Sequence, residues 1–267
     1  MSSILKSIEE LVAETPKVDN QATFDQLWAI TTELFEKVKA RFELTMDPCC
    51  SDLQPYSGKD GAAGYIGAYA GPEIDWLIHS WTGNPKATFT NMHLTVTLGP
   101  HIDAPNLGFA LGTTPDLFMY MDYLPRVDLP ANPDYVEKYY NGKANQTYIE
   151  MMADSRFKPF ISRHMYTRTT LTPVALCFGA QDSAETMQKV REMSHAHVDN
   201  WLEMVANATA VPQEQRAALA ARDHKVRHTI CDGDPANIVG EMLFGKEMTD
   251  RLVKTLWSGT RTLPSPK

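Results

Sequence analysis

The chain reads as an α+β protein built on a mostly antiparallel sheet. Two patterns predict this class. Stretches with helical period lie toward the two ends, while the middle is a run of stretches with period two, and such segregation places helices against an antiparallel sheet. Within that middle, residues 107–121 form a hairpin: Leu107, Phe109 and Leu111 alternate with Asn106, Gly108 and Ala110. After the turn residues 112–116, Leu117, Met119 and Met121 alternate with Phe118, Tyr120 and Asp122.

In chain order, residues 4–14 form a short helix that stops before Pro16. Residues 23–42 make an amphipathic one, with Phe24, Leu27, Ile30, Leu34, Phe35 and Val38 on one stripe and Thr23 as a cap. Residues 47–71, rich in Gly and Pro, read as a loop without the spacing of a phosphate-binding turn. Residues 73–81 read as a strand. Another follows in which Met92, Leu94, Val96 and Leu98 oppose Asn91, His93, Thr95 and Thr97. Pro125 ends the second hairpin strand, Asn132-Pro133 opens a helix over 135–152, and residues 162–172 read as a strand. Residues 174–178 continue as strand and residues 183–206 form a clear helix. A further helix runs from Pro212 to about His228, an acidic loop covers 230–237, and residues 246–257 close the chain as an amphipathic helix. No repeat or linker divides residues 1–267, so a single domain is expected.

Composition narrows the function. A net charge of −8 and a pI near 5.5 argue against nucleic acid as the main partner, which needs clustered Lys and Arg. No apolar run is long enough for a membrane span. The acid-bearing start (Glu9, Glu10, Glu14) reads as cytoplasmic, with a trimmed organellar form as the alternative. Cys49, Cys50, Cys177 and Cys231 have no metal-binding spacing, and His195 and His197 point to different sides of their helix, so no metal is expected.

The chemistry gathers on the polar sheet face. A polar face beneath helices implies that it lines a pocket, and His93 lies on it; a hydrogen-bonded structural histidine is the alternative. Asn106, Tyr120 and Asp122 sit on the polar side of the hairpin as substrate-binding candidates. His101 and Asp103, at one pocket end, make a candidate pair for orienting a proton, against an Asx turn before Pro105. On the strand expected over 162–172, His164, Tyr166 and Arg168 share a face suited to a flat, anionic aromatic ligand, a surface salt bridge being the plain reading of Arg168. Asp232 and Asp234, in the acidic loop, serve either as a helix cap or as proton donors.

Three stretches carry a resemblance to a known family: Asp103-Ala104-Pro105-Asn106; Leu124-Pro125 with Arg126, Asp128 and Leu129; and residues 132–140, Asn-Pro-Asp-Tyr-Val-Glu-Lys-Tyr-Tyr. Their ordered series resembles the red chlorophyll catabolite reductases, a branch of the ferredoxin-dependent bilin reductases. The likeness is good over residues 103–173 and returns from Arg222-Asp223 through Asp232 to Leu243-Phe244-Gly245 and the closing helix. Residues 1–70 match in helical character alone. It implies a three-layer α/β/α sandwich, its sheet between two helical layers. The activity implied is reduction of open-chain tetrapyrroles by electrons from reduced ferredoxin, with no bound metal or flavin and protons supplied by side chains. Such a donor requires a carboxyl whose pKa burial raises. The family's acid before the last helices falls on Asp232 or, with the gap moved, Asp234; its pocket aromatic falls on Tyr166 and an arginine on Arg168. Where the family has a glutamate on the strand after the first of those stretches, this chain has Ala110, which donates no proton. His93, His101 or Asp103 then takes over, or the substrate has changed. A different small aromatic substrate and a non-catalytic pigment carrier are the alternatives, and a homodimer is allowed for, since sheet sandwiches often self-associate.

Overall fold

The computed structural model describes residues 14–162 and 165–266; the helix expected over residues 4–14 falls almost wholly outside them, as does His164. Helix α1 (Gln21–Arg41) precedes two short strands, β1 (Thr45–Met46) and β2 (Tyr56–Ser57). The main strands follow: β3 (Ala63–Ala70), β4 (Ile74–Gly83), β5 (Thr90–Leu98), β6 (Asn106–Thr113) and β7 (Leu117–Leu124). Then come α2 (Pro133–Tyr139), α3 (Lys143–Ala153), β8 (Phe157–Pro159), α4 (Met165–Thr170), β9 (Leu176–Ala180) and α5 (Ala184–Ala206). Helices α6 (Gln213–Asp232), α7 (Asn237–Phe244) and α8 (Lys246–Leu256) close the chain. Among the described residues nine strands form one sheet, ordered β1-β3-β4-β5-β6-β7-β9-β8 with β2 beside β3, and every pairing is antiparallel.

Both faces of the sheet are covered by helices. On one, the apolar stripe of α1 (Phe24, Leu27, Ile30, Leu34, Val38) and that of α5 (Val190, Val198, Trp201) pack on Met92, Leu94, Val96, Phe109, Leu111, Met119 and Met121, forming the main core. On the other, a smaller cluster of Ile66, Ala68, Trp76 and Ile78 is packed by Phe244, Leu252 and Leu256 from α7 and α8. Helix α5 starts at the Ser183 cap, whose hydroxyl and Thr186 satisfy each other's first-turn donors.

Several elements differ from the sequence reading, each for a local reason. Residues 63–70 are a strand, not loop. Gly64 is needed there because a Cβ would lie 2.2 Å from the Tyr56 ring, so the glycine that reads as a turn marks a close approach. The helix expected over 135–152 is two helices parted at Tyr140–Gly142. The strand expected over 162–172 is instead helix α4: the hydroxyls of Thr169 and Thr170 bond back to the carbonyls of Tyr166 and Thr167 (2.7 and 2.8 Å), so β-branched residues that suggest a strand close a helical turn. Helix α6 runs on past His228, so Asp232 is its last residue rather than a loop residue.

Helix α6 is attached in an unusual way. Asp223 is its one buried residue among those described. That carboxylate meets the guanidinium of Arg126 at 2.7 Å, with Arg126 3% and Asp223 4% exposed. One turn on, Arg227 bonds Asp75 at 3.2 Å, and Asp75 also holds Arg261 at 2.6 Å. Charge pairs, rather than an apolar stripe, dock this helix.

Candidate active site

The face of β4–β9 opposite α1 is set by register. Ser80, His93, Ala110, Tyr120 and Cys177 stand opposite one another across five strands, and Thr82, Asn91, Gly112, Phe118 and Gly179 form the next row. At about 4.8 Å per strand each row is roughly 19 Å wide. Past Asn106, strand β6 contributes Gly108, Ala110 and Gly112 to this face, nothing larger than a methyl. This lets the rings of β7 lie down on the sheet: a Cβ at Gly112 would be 2.4 Å from the Phe118 ring, and one at Gly108 would be 3.3 Å from that of Tyr120. The result is a flat aromatic floor. Burial pushes the Tyr120 phenol well above its ordinary range, so it stays protonated.

Beside this floor a cavity of about 90 Å³ separates the sheet from α7 and α8. Ser80, Asn91 and His93 line it from below, and Asp234, Asn237 and Gly240 from above. Asp234 is aimed by the tight turn after α6: its Oδ1 accepts the Ala236 N–H at 2.8 Å, and its carbonyl accepts the Asn237 N–H at 3.0 Å. His93 has its pKa lowered, first by burial, with the charge of Asp234 pulling the other way. The structure therefore brings together His93 and Asp234, an imidazole and a carboxylate on opposite walls of one cavity.

The remaining candidates fall elsewhere. Asp232 points outward, paired with His228 (2.9 Å) and with the Trp257 indole N–H (3.1 Å). His101 and Asp103 are no pair. Asp103 receives Tyr139 (2.6 Å), the Thr209 N–H (2.7 Å) and hydroxyl (2.6 Å) and Lys138 (3.3 Å), on the wall of a different groove of about 660 Å³ between α2 and α6. His101 packs on Gly99, and its Nδ1 is buried without a partner. Asn106 turns its Oδ1 to the Leu98 N–H at 2.9 Å, tying β5 to β6. Asp122, fully buried, is pushed up to about 6 by that burial, against hydrogen bonds from the Thr172 N–H (2.8 Å), the Thr172 hydroxyl and the Tyr123 N–H (2.9 Å). It anchors the segment that follows α4. Tyr166 and Arg168, placed on a strand face by the sequence reading, ride α4, which packs on α6; the Arg168 guanidinium bonds the Ser162 carbonyl at 2.8 Å.

The sequence reading passed over Ser80, Asn91 and Asn237. Asn91 was within reach of it, two places before His93 and so on the same strand face. Asn237 depended on where α6 stops.

This geometry, a sheet with one dry face and one flat aromatic face roofed by helices, defines a class. The structure superposes on tomato phytochromobilin synthase in complex with biliverdin with a TM-score of 0.72 at 16% identity, covering 86% of this chain and 82% of that one, which gives it the bilin reductase fold. A model of the red chlorophyll catabolite reductase family matches residues 28–258, and the chain belongs to that family, an oxidoreductase by membership. It is 26% identical to the red chlorophyll catabolite reductase of Hordeum vulgare over 63% of this chain and 88% of that protein. It is 24% identical to the Arabidopsis thaliana reductase, named as chloroplastic, over 85% of this chain and 78% of that one. The two regions of likeness, residues 103–173 and the one that begins at Arg222-Asp223, meet in space, since Arg126 of the first grips Asp223 of the second.

Proposed function

We propose that the protein reduces an open-chain tetrapyrrole of the red chlorophyll catabolite or bilin type on the cleft face of the sheet, taking electrons from reduced ferredoxin and holding no flavin or metal of its own. The observation that carries this is the facing of His93 and Asp234 across a cavity beside the floor of Phe118 and Tyr120. Saturating one double bond takes two electrons and two protons. Ferredoxin delivers the electrons singly, while Asp234 and His93 hand protons to the ligand carbons, and the flat floor keeps the conjugated system planar against the sheet. Ala110, directly opposite His93, leaves the imidazole to act where relatives would place a glutamate. That departure supports a change of preferred substrate as the second reading.

Two relatives are named as chloroplastic, which favours the organellar alternative over a cytoplasmic setting. Among the described residues no helix is long and apolar enough to cross a membrane.

The test is an anaerobic difference spectrum with biliverdin or a red chlorophyll catabolite, before and after reduced ferredoxin is added. A band shift on mixing and bleaching with ferredoxin alone are expected. Absence of any shift with both pigments would overturn the proposal.

A further inference from the structure

Asn91 is the one side chain on the cavity wall with a buried polar atom that nothing in the described protein satisfies: its Oδ1 has no hydrogen-bond partner. It lies in register between Thr82 and Gly112, two residues from His93 on the same face, and beneath Asp234 of the roof. A buried, unpaired amide oxygen is costly, and such groups are rare unless water or a ligand completes them. The cavity sets the size of what enters. With roughly 10–15 Å³ of such volume per water, about 90 Å³ takes on the order of six to nine water-sized groups. That is one substituted five-membered ring, not four.

We propose that this cavity seats a terminal lactam ring of the ligand and that Asn91 reads it. A lactam holds its N–H and C=O on the same side, and a primary amide presents the complementary pair. The lactam N–H donates to Oδ1 of Asn91, and the Asn91 amide donates to the lactam oxygen. A carboxylate or a hydroxyl makes half of that pair at most, so Asn91 selects cis-amide rings over the propionate ends of the same pigment. The assignment rests on the tetrapyrrole reading above and adds to it a residue and a ring.

The experiment is absorbance titration of the full chain with biliverdin, alongside thermal melts without ligand, for wild type, Asn91→Leu and Asn91→Asp. Asn91→Leu keeps the shape and removes the unpaired group, so the ligand-free melting temperature should rise by roughly 2–4 °C. Its biliverdin Kd should weaken about tenfold or more, the size of one to two lost hydrogen bonds. Asn91→Asp keeps an acceptor and should fall between the two. Biliverdin dimethyl ester, whose lactams are intact, should show the same loss with Asn91→Leu. Wild-type binding that Asn91→Leu leaves unchanged, or an unchanged melting temperature, would overturn the role of Asn91 while sparing the tetrapyrrole reading. Wild type blind to biliverdin would sink that reading and this one with it.

Discussion

The two faces of β5, β6 and β7 are made by alternate residues of the same strands, yet their covering helices are held by different forces. Toward α1 and α5 the strands present Met92, Leu94, Phe109, Leu111, Met119 and Met121, all buried, and docking is by apolar contact. On the other face they present Asn91, His93, Ala110, Tyr120 and Asp122; the Asp234 turn, α7 and α8 lie over the cavity there, and α6, which leads into that turn, is docked by Arg126–Asp223 and Arg227–Asp75. The two ion pairs fix where α6 ends, and so where the Asp234 turn stands over the sheet, while Phe244, Leu252 and Leu256 of α7 and α8 pack on Ile66, Ala68, Trp76 and Ile78 beside the cavity.

Removal of Arg126 separates the two faces most clearly. Arg126→Ala leaves Asp223 buried with only the longer contact to Arg222 (3.4 Å), which should cost roughly 3–5 kcal/mol of unfolding free energy. Phe109→Ala on the opposite face should cost a similar ~3–5 kcal/mol through the cavity it leaves. Denaturant midpoints check both, and pigment affinity separates them: among molecules still folded, the Arg126 variant should bind biliverdin more weakly and the Phe109 variant should not. Equal affinities would mean that the ion pair does not position the roof. Next in size, Asp234→Asn should lower pigment turnover by about 10²–10⁴-fold with binding largely kept, whereas Asp232→Asn, outside the cavity, should change it little. Single-turnover bleaching with reduced ferredoxin measures both, and a greater loss at Asp232 would reverse the assignment.

How far the sequence could be read follows the range of each interaction. The alternation in β5 to β7 is local, so core face and cleft face were both visible, His93 on the right one. The choice between Asp232 and Asp234 was not, because it turns on the helix ending at Asp232 and on the turn that Asp234 makes with Ala236. Helix α4 was misread because threonines favour strands until their hydroxyls find carbonyls within their own turn. Strand β3 was hidden by glycines whose reason is the Tyr56 ring packed on Gly64. The ion pair of Arg126 with Asp223 spans 97 residues, so no local pattern announces it, and Asp103 is held by Tyr139 and Thr209, 36 and 106 residues away, rather than by its neighbour His101.

A smaller effect probes the dry face. His79 is sandwiched between Trp28 and Phe35 at 4.4 and 4.5 Å, its Nε2 unpaired, and burial pushes its pKa down to about 4. A histidine depressed in the folded state is neutral there, while the unfolded chain takes up a proton below about 6.5. Its stabilisation is therefore full above that pH and is lost as pH falls toward 4, by on the order of 2 kcal/mol at about pH 5. His79→Phe should keep the stack and remove this part of the acid loss. Melts at about pH 7.5 and about pH 5 measure it, and an unchanged gap between them would show that His79 is not the group titrating.

The smallest expected change falls on the cleft face, at Ala110. It stands opposite His93 and is itself next to Tyr120, so a glutamate there would bring a carboxylate within side-chain reach of the imidazole. Burial now lowers the His93 pKa and the charge of Asp234 opposes it; a second negative charge adds to that opposition and raises the pKa. If His93 must be protonated to donate, Ala110→Glu should carry the alkaline limb of the pH–rate profile upward by on the order of one unit, extending turnover to higher pH. The same variant with His93→Gln should show no such movement. A limb that moves in both would assign the titration to the new glutamate, and one that moves in neither would remove His93 from the proton path and leave Asp234 to serve alone.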